Sequence, residues 1–122
     1  MIQVRPARVD ERAAVRNVID GAALALAPTF LETAIGSDDV LVAVPAEGGV
    51  VLGAIVLDGS VIRAIAVRRR RRNQGLGTAL VETAAAQREQ LIATFDSSLE
   101  PFWMELGFEV IDRDGNRVRA LR

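Results

Sequence analysis

The sequence contains no cysteine, histidine, lysine or tyrosine. These absences exclude disulfides, thiolate catalysis, the usual zinc sites, lysine Schiff bases and Ser/His relays. A Walker A phosphate loop is excluded as well, because it requires a lysine. The chemistry left to the chain rests on carboxylates, hydroxyls, arginines, backbone amides and the single tryptophan, Trp103. If the protein is an enzyme, we therefore expect it to move a group that arrives already activated.

Long apolar runs are also absent. The longest stretch without a charged residue, residues 21–31, contains Pro28 and is well short of the roughly 20 residues that cross a bilayer. Charged residues at positions 5, 8, 10 and 11 fall where a secretory signal would need an apolar run. We therefore expect no membrane association and a cytoplasmic location. With 122 residues, half of them apolar, the chain is expected to form a single domain over residues 1–122.

The first part of the chain predicts a strand followed by a helix. Ile2 and Val4 alternate with polar neighbours, as in a short strand. Asp10 is expected to be the N-cap of the helix. The predicted buried face of this helix consists of Val15, Val18, Ile19, Ala22 and Leu26. Pro28 breaks or redirects the helix, and residues 29–37 fit either a short second helix or a loop.

The rest of the chain predicts strands and two more helices. A helix over residues 75–90 joins two strands, which are therefore expected to be parallel through a right-handed crossover. Asp58 and Gly59 form a hairpin turn, and Gly107 ends a short helix that begins at Pro101. The predicted strands cover residues 40–44, 50–57, 61–67, 91–95, 108–111 and 118–121. The predicted fold class is α+β, with a mixed sheet that is antiparallel at first, parallel at its centre, and flanked by helices on both faces.

The segment from Val61 to Thr78 carries the clearest chemical signal. A buried strand runs into five consecutive arginines, Arg68 to Arg72, and then into Gly75, Gly77 and the start of a helix. A helix N-terminus exposes unpaired N–H groups, glycines let a phosphate approach the backbone, and arginines add charge-assisted hydrogen bonds. This combination predicts an anion cradle, most naturally for a pyrophosphate.

Two motifs in the sequence resemble those of the GCN5-related N-acetyltransferase (GNAT) family. Arg72-Asn73-Gln74-Gly75-Leu76-Gly77 is similar to the family's acyl-CoA loop, Q/R-x-x-G-x-G/A, between a strand and a helix. About one helix later, the segment from Pro101 to Phe108 looks like the closing F-Y-x-x-L-G-F signature. The spacing of the two motifs and the order of predicted elements extend the resemblance over essentially the whole chain.

The resemblance implies a GNAT-like fold with a splayed parallel pair of strands at its centre, and acetyl-CoA as cosubstrate without a metal. An acetyl group would pass directly to a primary amine of a small molecule or a peptide, with no covalent enzyme intermediate. Ile65, Ala66 and Val67 would offer backbone groups to pantetheine, and the Ile65 N–H would polarise the acyl carbonyl. The residues expected to hold the pyrophosphate are Arg72, Asn73, Gln74, Gly75, Leu76, Gly77 and Thr78.

The sequence departs from the family pattern at the catalytic positions. Trp103 stands where the family often has a tyrosine that protonates the leaving thiolate, and an indole N–H is not an acid at neutral pH. The strand at residues 61–67 lacks the glutamate that many members use as a base, and its ionisable residue is Arg63. Asp96 is our first candidate for the base, ahead of Glu100, Ser97 and Ser98. The predicted catalytic residues are therefore Asp96 and Trp103.

Each assignment has a structural alternative. Asp96 can simply cap the following helix, Trp103 can belong to the core, and Arg68 to Arg71 can form a solvated basic turn. At the level of function, the alternative is a module that binds acyl-CoA with little or no turnover. Nucleic acid is not an expected partner, because the net charge is −1 and no aromatic residue lies near the arginines. An apolar sheet edge at residues 118–121 leaves a homodimer open.

Overall fold

The computed structural model describes residues 1–21, 26–72 and 74–122. Within these ranges the chain forms seven β-strands and four α-helices, with short 3₁₀ turns at Val9–Glu11, Arg69–Arg71 and Ser97–Leu99. The strands are β1 (Ile2–Pro6), β2 (Val40–Pro45), β3 (Gly53–Asp58), β4 (Val61–Val67), β5 (Ile92–Asp96), β6 (Glu109–Asp114) and β7 (Arg117–Leu121). The helices are α1 (Arg12–Gly21), α2 (Pro28–Gly36), α3 (Leu76–Ala86) and α4 (Glu100–Glu105).

All seven strands belong to one mixed sheet in the order β1-β2-β3-β4-β5-β7-β6. The neighbours are antiparallel except β4 and β5, which are parallel and joined by α3. The parallel register contains a single residue pair, Val61 with Ile92, where the Ile92 N–H donates to the Ser60 carbonyl at 2.7 Å. The predicted mixed sheet with a splayed parallel pair at its centre is therefore confirmed.

Helices cover both faces of the sheet, as predicted. On one face α1 and α2 pack against apolar side chains of β2, β3 and β4. On the other face α3 packs against β1 to β4, mainly on β2 and β3, and Trp103 of α4 packs against Phe95 of β5. The small side chains Ala64 and Ala66 of β4 face α1 and α2, whereas Ile65 and Val67 face the α3 side. Both faces of the central strands are buried because each is a nearly continuous apolar run.

The start of α1 differs from the prediction. Asp10 is not its N-cap, because residues 9–11 form a 3₁₀ turn that precedes the helix. The Arg8 N–H is instead satisfied by the Glu11 carboxylate at 2.8 Å, and Arg5 binds the same carboxylate with two hydrogen bonds of 2.7 and 2.8 Å. Val15, Val18 and Ile19 form the expected buried face, while the predicted contribution of Ala22 lies outside the described residues.

The structure answers one question that the sequence left open and corrects one expectation. Residues 28–36 form a helix, in which Pro28 occupies the first turn, where a missing N–H removes no intrahelical bond. At the other end of the chain, the expectation of an apolar sheet edge at residues 118–121 is wrong. Strand β7 lies between β5 and β6, because the last hairpin folds so that β6 is outermost.

Candidate active site

The site is built where β4 and β5 separate. Beyond the pair Val61 and Ile92, the two strands diverge toward their carboxyl ends. Strand β4 leads into the arginine loop and α3, while β5 leads into the 3₁₀ turn and α4. The divergence therefore opens a slot in the sheet with a helix start on either side of it.

Strand β4 presents to this slot backbone groups that no neighbouring strand pairs, although the Val67 carbonyl accepts a long hydrogen bond of 3.4 Å from the Arg72 Nε. The Arg68 N–H donates to the Leu52 carbonyl of the preceding segment at 2.8 Å, which makes these two residues a hydrogen-bonded antiparallel pair. The register then makes Ala66 the next hydrogen-bonded position, whereas Ile65 and Val67 direct their N–H and C=O groups away from β3. These groups face the side on which β5 has moved away.

The N-terminus of α3 adds a second set of unpaired donors. Gly75 is its N-cap and has φ +79°, a left-handed conformation that an L side chain adopts only with strain. The first N–H bonded within the helix is that of Ala79, which donates to the Gly75 carbonyl at 3.0 Å. The amides of Leu76, Gly77 and Thr78 therefore have no intrahelical acceptor, and no side chain caps them among the described residues.

The five arginines divide into three groups. Arg68 is structural, since its Nε donates to the Val51 carbonyl at 2.7 Å and anchors the loop. Arg69 and Arg70 are exposed on the 3₁₀ turn, as expected for a solvated basic turn. Arg71 and Arg72 face a cavity beside the start of α3. The basic segment thus brings two of its cations to the cavity where the sequence predicts an anion cradle.

A cavity of about 590 Å³ joins the β4 backbone to the start of α3. Its lining includes eight of the ten residues predicted to bind the cofactor: Ile65, Ala66, Val67, Arg72, Gly75, Leu76, Gly77 and Thr78. Gln74 is exposed and not part of this lining, and its amide donates to the Arg70 carbonyl at 3.5 Å. Asn73 lies outside the described residues. We refer to this space as the donor cavity.

A second cavity of about 320 Å³ lies on the other side of Ile65 and Phe102, which line both cavities. We refer to it as the acceptor cavity. Its walls are formed by β4, β5 and the segment that follows β5. The lining residues are Ile62, Arg63, Ala64, Ile65, Thr94, Phe95, Leu99, Phe102 and Trp103.

Trp103 belongs both to the core and to the wall of the acceptor cavity. It is 7% exposed and stacks on Phe95 at a centroid distance of 5.4 Å, with Phe102 and Phe108 edge-on at 5.3 and 5.1 Å. Its Nε1 is buried and has no hydrogen bond partner among the described residues. A buried unsatisfied donor costs about 1–3 kcal/mol of stability, so this N–H is an unpaired polar group within the aromatic cluster.

Asp96 caps the turn that follows β5. Its carboxylate accepts a hydrogen bond from the Ser98 N–H at 2.8 Å. Hydrogen bonds from the Ser98 side chain and backbone lower the pKa of Asp96, which makes the carboxylate a weaker base. It is not among the described residues that line either cavity. The structure thus shows the capping role, and the role of Asp96 as a general base stays a prediction.

The secondary candidate Glu100 has a structural partner. Arg113 binds it with two hydrogen bonds of 2.6 and 2.9 Å, which lower the pKa of Glu100 and join α4 to the last hairpin. The Ser97 N–H donates to the Asn116 carbonyl at 2.7 Å, which ties the 3₁₀ turn to the same hairpin. These residues therefore position α4 beside the slot.

Two residues that line the cavities, Glu105 and Arg63, were not predicted as site residues. Glu105 follows Trp103 by two residues on α4 and brings a carboxylate to the donor cavity. Arg63 reaches the acceptor cavity from an irregularity of β4, where Val56 pairs with Ala64 but Leu57 pairs with Ile62. Such a bulge changes which side of the sheet a side chain faces, and the apolar pattern of the strand does not reveal it.

In the ranges that the structure covers, no cluster of three or more acidic, histidine or cysteine side chains is arranged to hold a metal ion. None of the helices in those ranges combines the length and apolar character that a bilayer span requires.

Comparison with known proteins gives a consistent picture. The protein-family model described as the acetyltransferase (GNAT) domain matches residues 19–119 of the sequence. No curated protein matches the sequence significantly. Among solved structures, a GNAT family acetyltransferase from Listeria monocytogenes has a TM-score of 0.82 at 13% identity, covering 99% of this chain and 94% of that one. Ard1 from Thermoplasma volcanium has a TM-score of 0.79 at 16% identity, covering 99% and 96%.

A third solved structure, N-acetylglutamate synthase from Neisseria gonorrhoeae, is complexed with coenzyme A and N-acetyl-glutamate. It has a TM-score of 0.77 at 16% identity, covering all of this chain and 35% of that one. At these identities the structural matches establish the fold alone.

Proposed function

This chain belongs to the GNAT acetyltransferase family, and we propose that it transfers an acetyl group from acetyl-CoA directly to a primary amine of a small molecule or a peptide. The observation that carries the proposal is the junction of the two cavities. The donor cavity combines β4 backbone groups that no strand pairs with the predicted anion cradle, and it shares Ile65 and Phe102 with the acceptor cavity. A thioester in one and an amine in the other would meet at that residue.

The donor cavity supplies the groups that acetyl-CoA requires. The pyrophosphate would be bound by the free amides of Leu76, Gly77 and Thr78, with charge-assisted hydrogen bonds from Arg72. Pantetheine carries amides of its own, which would pair with the N–H and C=O groups of Ile65 and Val67. Asn73 and Gln74 complete the loop in this proposal, as the family motif implies.

The transfer balances without a covalent enzyme intermediate. The lone pair of the neutral amine forms a C–N bond to the acyl carbon, and the Ile65 N–H stabilises the oxyanion that develops. The C–S bond then breaks, and the electron pair leaves on the sulfur of CoA. The amine gives up one proton and the thiolate takes one, and water in the open acceptor cavity can carry both.

Trp103 and Asp96 have defined roles in this proposal. The Trp103 Nε1 would donate a hydrogen bond to an oxygen or sulfur of the reacting groups without giving up its proton. Asp96 would accept the amine proton through water, since it does not line the acceptor cavity. Replacing Asp96 with asparagine separates this role from capping, because asparagine caps helices as well as aspartate does.

A module that binds acyl-CoA without significant turnover is the second candidate. Two observations favour it: the tyrosine position is occupied by a buried tryptophan, and the described lining of the acceptor cavity contains no carboxylate. Such a protein would retain the complete donor cavity. It would differ from the enzyme only in the absence of product.

The test is release of free CoA thiol from acetyl-CoA in the presence of a panel of primary amines, followed with a thiol reagent. The chain has no cysteine, so the protein itself contributes no thiol signal. The transferase predicts amine-dependent thiol release that is lost in Arg72→Ala. Saturable acetyl-CoA binding without release for any amine would instead establish the binding module.

A further inference from the structure

The described lining of the acceptor cavity contains a cation but no anion. Arg63 is the one charged residue in its described lining, and Thr94 contributes a hydroxyl. The rest of the wall is apolar. A cavity lined by a guanidinium and a hydroxyl, with no carboxylate in its described lining, is suited to a ligand that brings negative charge and hydrogen bond acceptors.

The guanidinium of Arg63 is held in place but keeps most of its donors available. It lies 4.6 Å from the ring centroid of Phe30 on α2, a cation–π contact that fixes its position. Its hydrogen bond among the described residues is a long one, 3.5 Å from Nη1 to Asp58 Oδ2. Both of these side chains are half exposed, so the ion pair is weak and a ligand carboxylate can compete with it.

The position of Arg63 relative to Ile65 limits the size of the ligand. The Cα atoms of the two residues are two steps apart along β4, which corresponds to roughly 7 Å. Ile65 marks the junction with the donor cavity, where the amine must react in the proposed transfer. A molecule that spans from that point to Arg63 carries its amine and its negative group a few bonds apart.

We infer that the acceptor is a small amine that also carries a carboxylate, of amino acid size, and that Arg63 is its specificity-determining residue. This inference rests on the proposed function. The planar guanidinium binds the carboxylate through paired hydrogen bonds, and this contact orients the amine toward Ile65. A cationic acceptor finds no counter-charge in the described lining of this cavity.

The first test compares turnover of an amino acid with that of its amide, for example leucine and leucinamide. Leucinamide has the less basic amine, so a larger fraction of it is in the reactive neutral form. Without recognition of the carboxylate, leucinamide should therefore have the higher kcat/KM. We expect the acid to have the higher kcat/KM. Arg63→Met, which keeps the aliphatic stem, should raise KM for the acid by about tenfold or more and leave the amide within about twofold.

Two further variants sharpen the comparison. Arg63→Lys keeps the charge and should recover part of the preference, whereas Arg8→Met removes an exposed cation at the other end of the sheet and should change nothing. Asp58→Asn removes the competing carboxylate from Arg63 and should lower KM for the acid. Asp58 is the exposed last residue of β3, paired with Val61, and the turn residues Gly59 and Ser60 are unchanged, so this variant is expected to fold.

The second test does not depend on turnover. Trp103 is the only tryptophan and the chain has no tyrosine, so its fluorescence reports ligands in the acceptor cavity. N-acetyl-leucine and N-acetyl-leucinamide are titrated into the protein saturated with CoA. We expect tighter binding of the acid, and loss of that preference in Arg63→Met.

Equal binding of the two ligands, or a preference for the acid that survives Arg63→Met, would overturn the inference while leaving the transferase intact. Failure of the proposed function has a different signature, namely no CoA binding or no thiol release with any amine.

Discussion

Gly77 offers a test in which stability and ligand binding should move in opposite directions. It is the second residue of α3, has no positive φ, and a Cβ atom built on it meets nothing within 4 Å. Alanine should therefore stabilise the free protein by about 0.5–1 kcal/mol through helix propensity and lower entropy of the unfolded chain. For 122 residues the unfolding entropy is about 0.26 kcal/mol per degree, so Tm should rise by about 2–4 °C.

When CoA is present, Gly77→Ala should be less stable than the wild-type protein, because the variant binds CoA more weakly. Gly77 lines the donor cavity, and its Cβ would occupy the space through which a phosphate approaches the backbone amide. Loss of a hydrogen bond to a charged group amounts to about 1.5–3 kcal/mol, or roughly 10- to 100-fold in affinity. With CoA at 100 times the wild-type Kd, ligand stabilisation is about 2.7 kcal/mol, a Tm shift of about 10 °C. A hundredfold weaker Kd reduces that shift to about 2 °C.

The assay is a thermal melt of each protein with and without CoA, and the chain contains a matched control. Gly36 at the end of α2 is also helical, has open space at its Cβ position and lines neither cavity. Gly36→Ala should gain similar stability and keep the full CoA shift. If Gly77→Ala also kept the full shift, the proposed placement of the pyrophosphate at the start of α3 would be refuted.

Three other substitutions have defined outcomes. Arg5 lowers the pKa of Glu11 to about 2 from 4.5, so the pair stabilises the protein above about pH 4.5 and this stabilisation is lost as the pH falls toward 2. Glu11→Gln should therefore lower the unfolding free energy at pH 7 by about 2 kcal/mol in urea titrations and flatten its pH dependence below 4.5. Glu105→Gln removes a carboxylate from the donor cavity and should strengthen CoA binding by about twofold to fivefold in calorimetry, whereas weaker binding would contradict a phosphate site there. Asp96→Asn should keep the melting temperature within about 2 °C and lower kcat about tenfold, and an unchanged kcat would leave Asp96 only its capping role.

The fold and the cradle could be predicted because their signals are local. Periodicity fixes a helix such as α3, and a helix between two strands forces them to be parallel. Gly75 and Gly77 mark a loop that turns into a helix, and the arginines beside them give the cradle its charge. The slot itself came from the family resemblance, because the divergence of β4 and β5 leaves no trace in the apolar pattern of either strand.

The acceptor cavity could not be predicted because it depends on contacts between distant segments. Arg63 appeared in the sequence only as the ionisable residue of a strand, and its direction is set by a bulge and by Phe30 on a helix that the sequence left undecided. Asp96 was assigned from its place at the end of a strand, a position that suits a helix cap better than a base. Trp103 likewise serves the core and the cavity wall together, so that the alternatives we weighed for it do not exclude each other.

The most direct test of the account is calorimetric titration of the protein with acetyl-CoA, repeated with Arg72→Ala. The account predicts saturable one-to-one binding with a micromolar Kd, weakened about tenfold or more in the variant because a charge-assisted hydrogen bond to the pyrophosphate is lost. Absence of binding at millimolar acetyl-CoA by the folded wild-type protein would contradict it, since the loop would then be only a basic turn ahead of a helix.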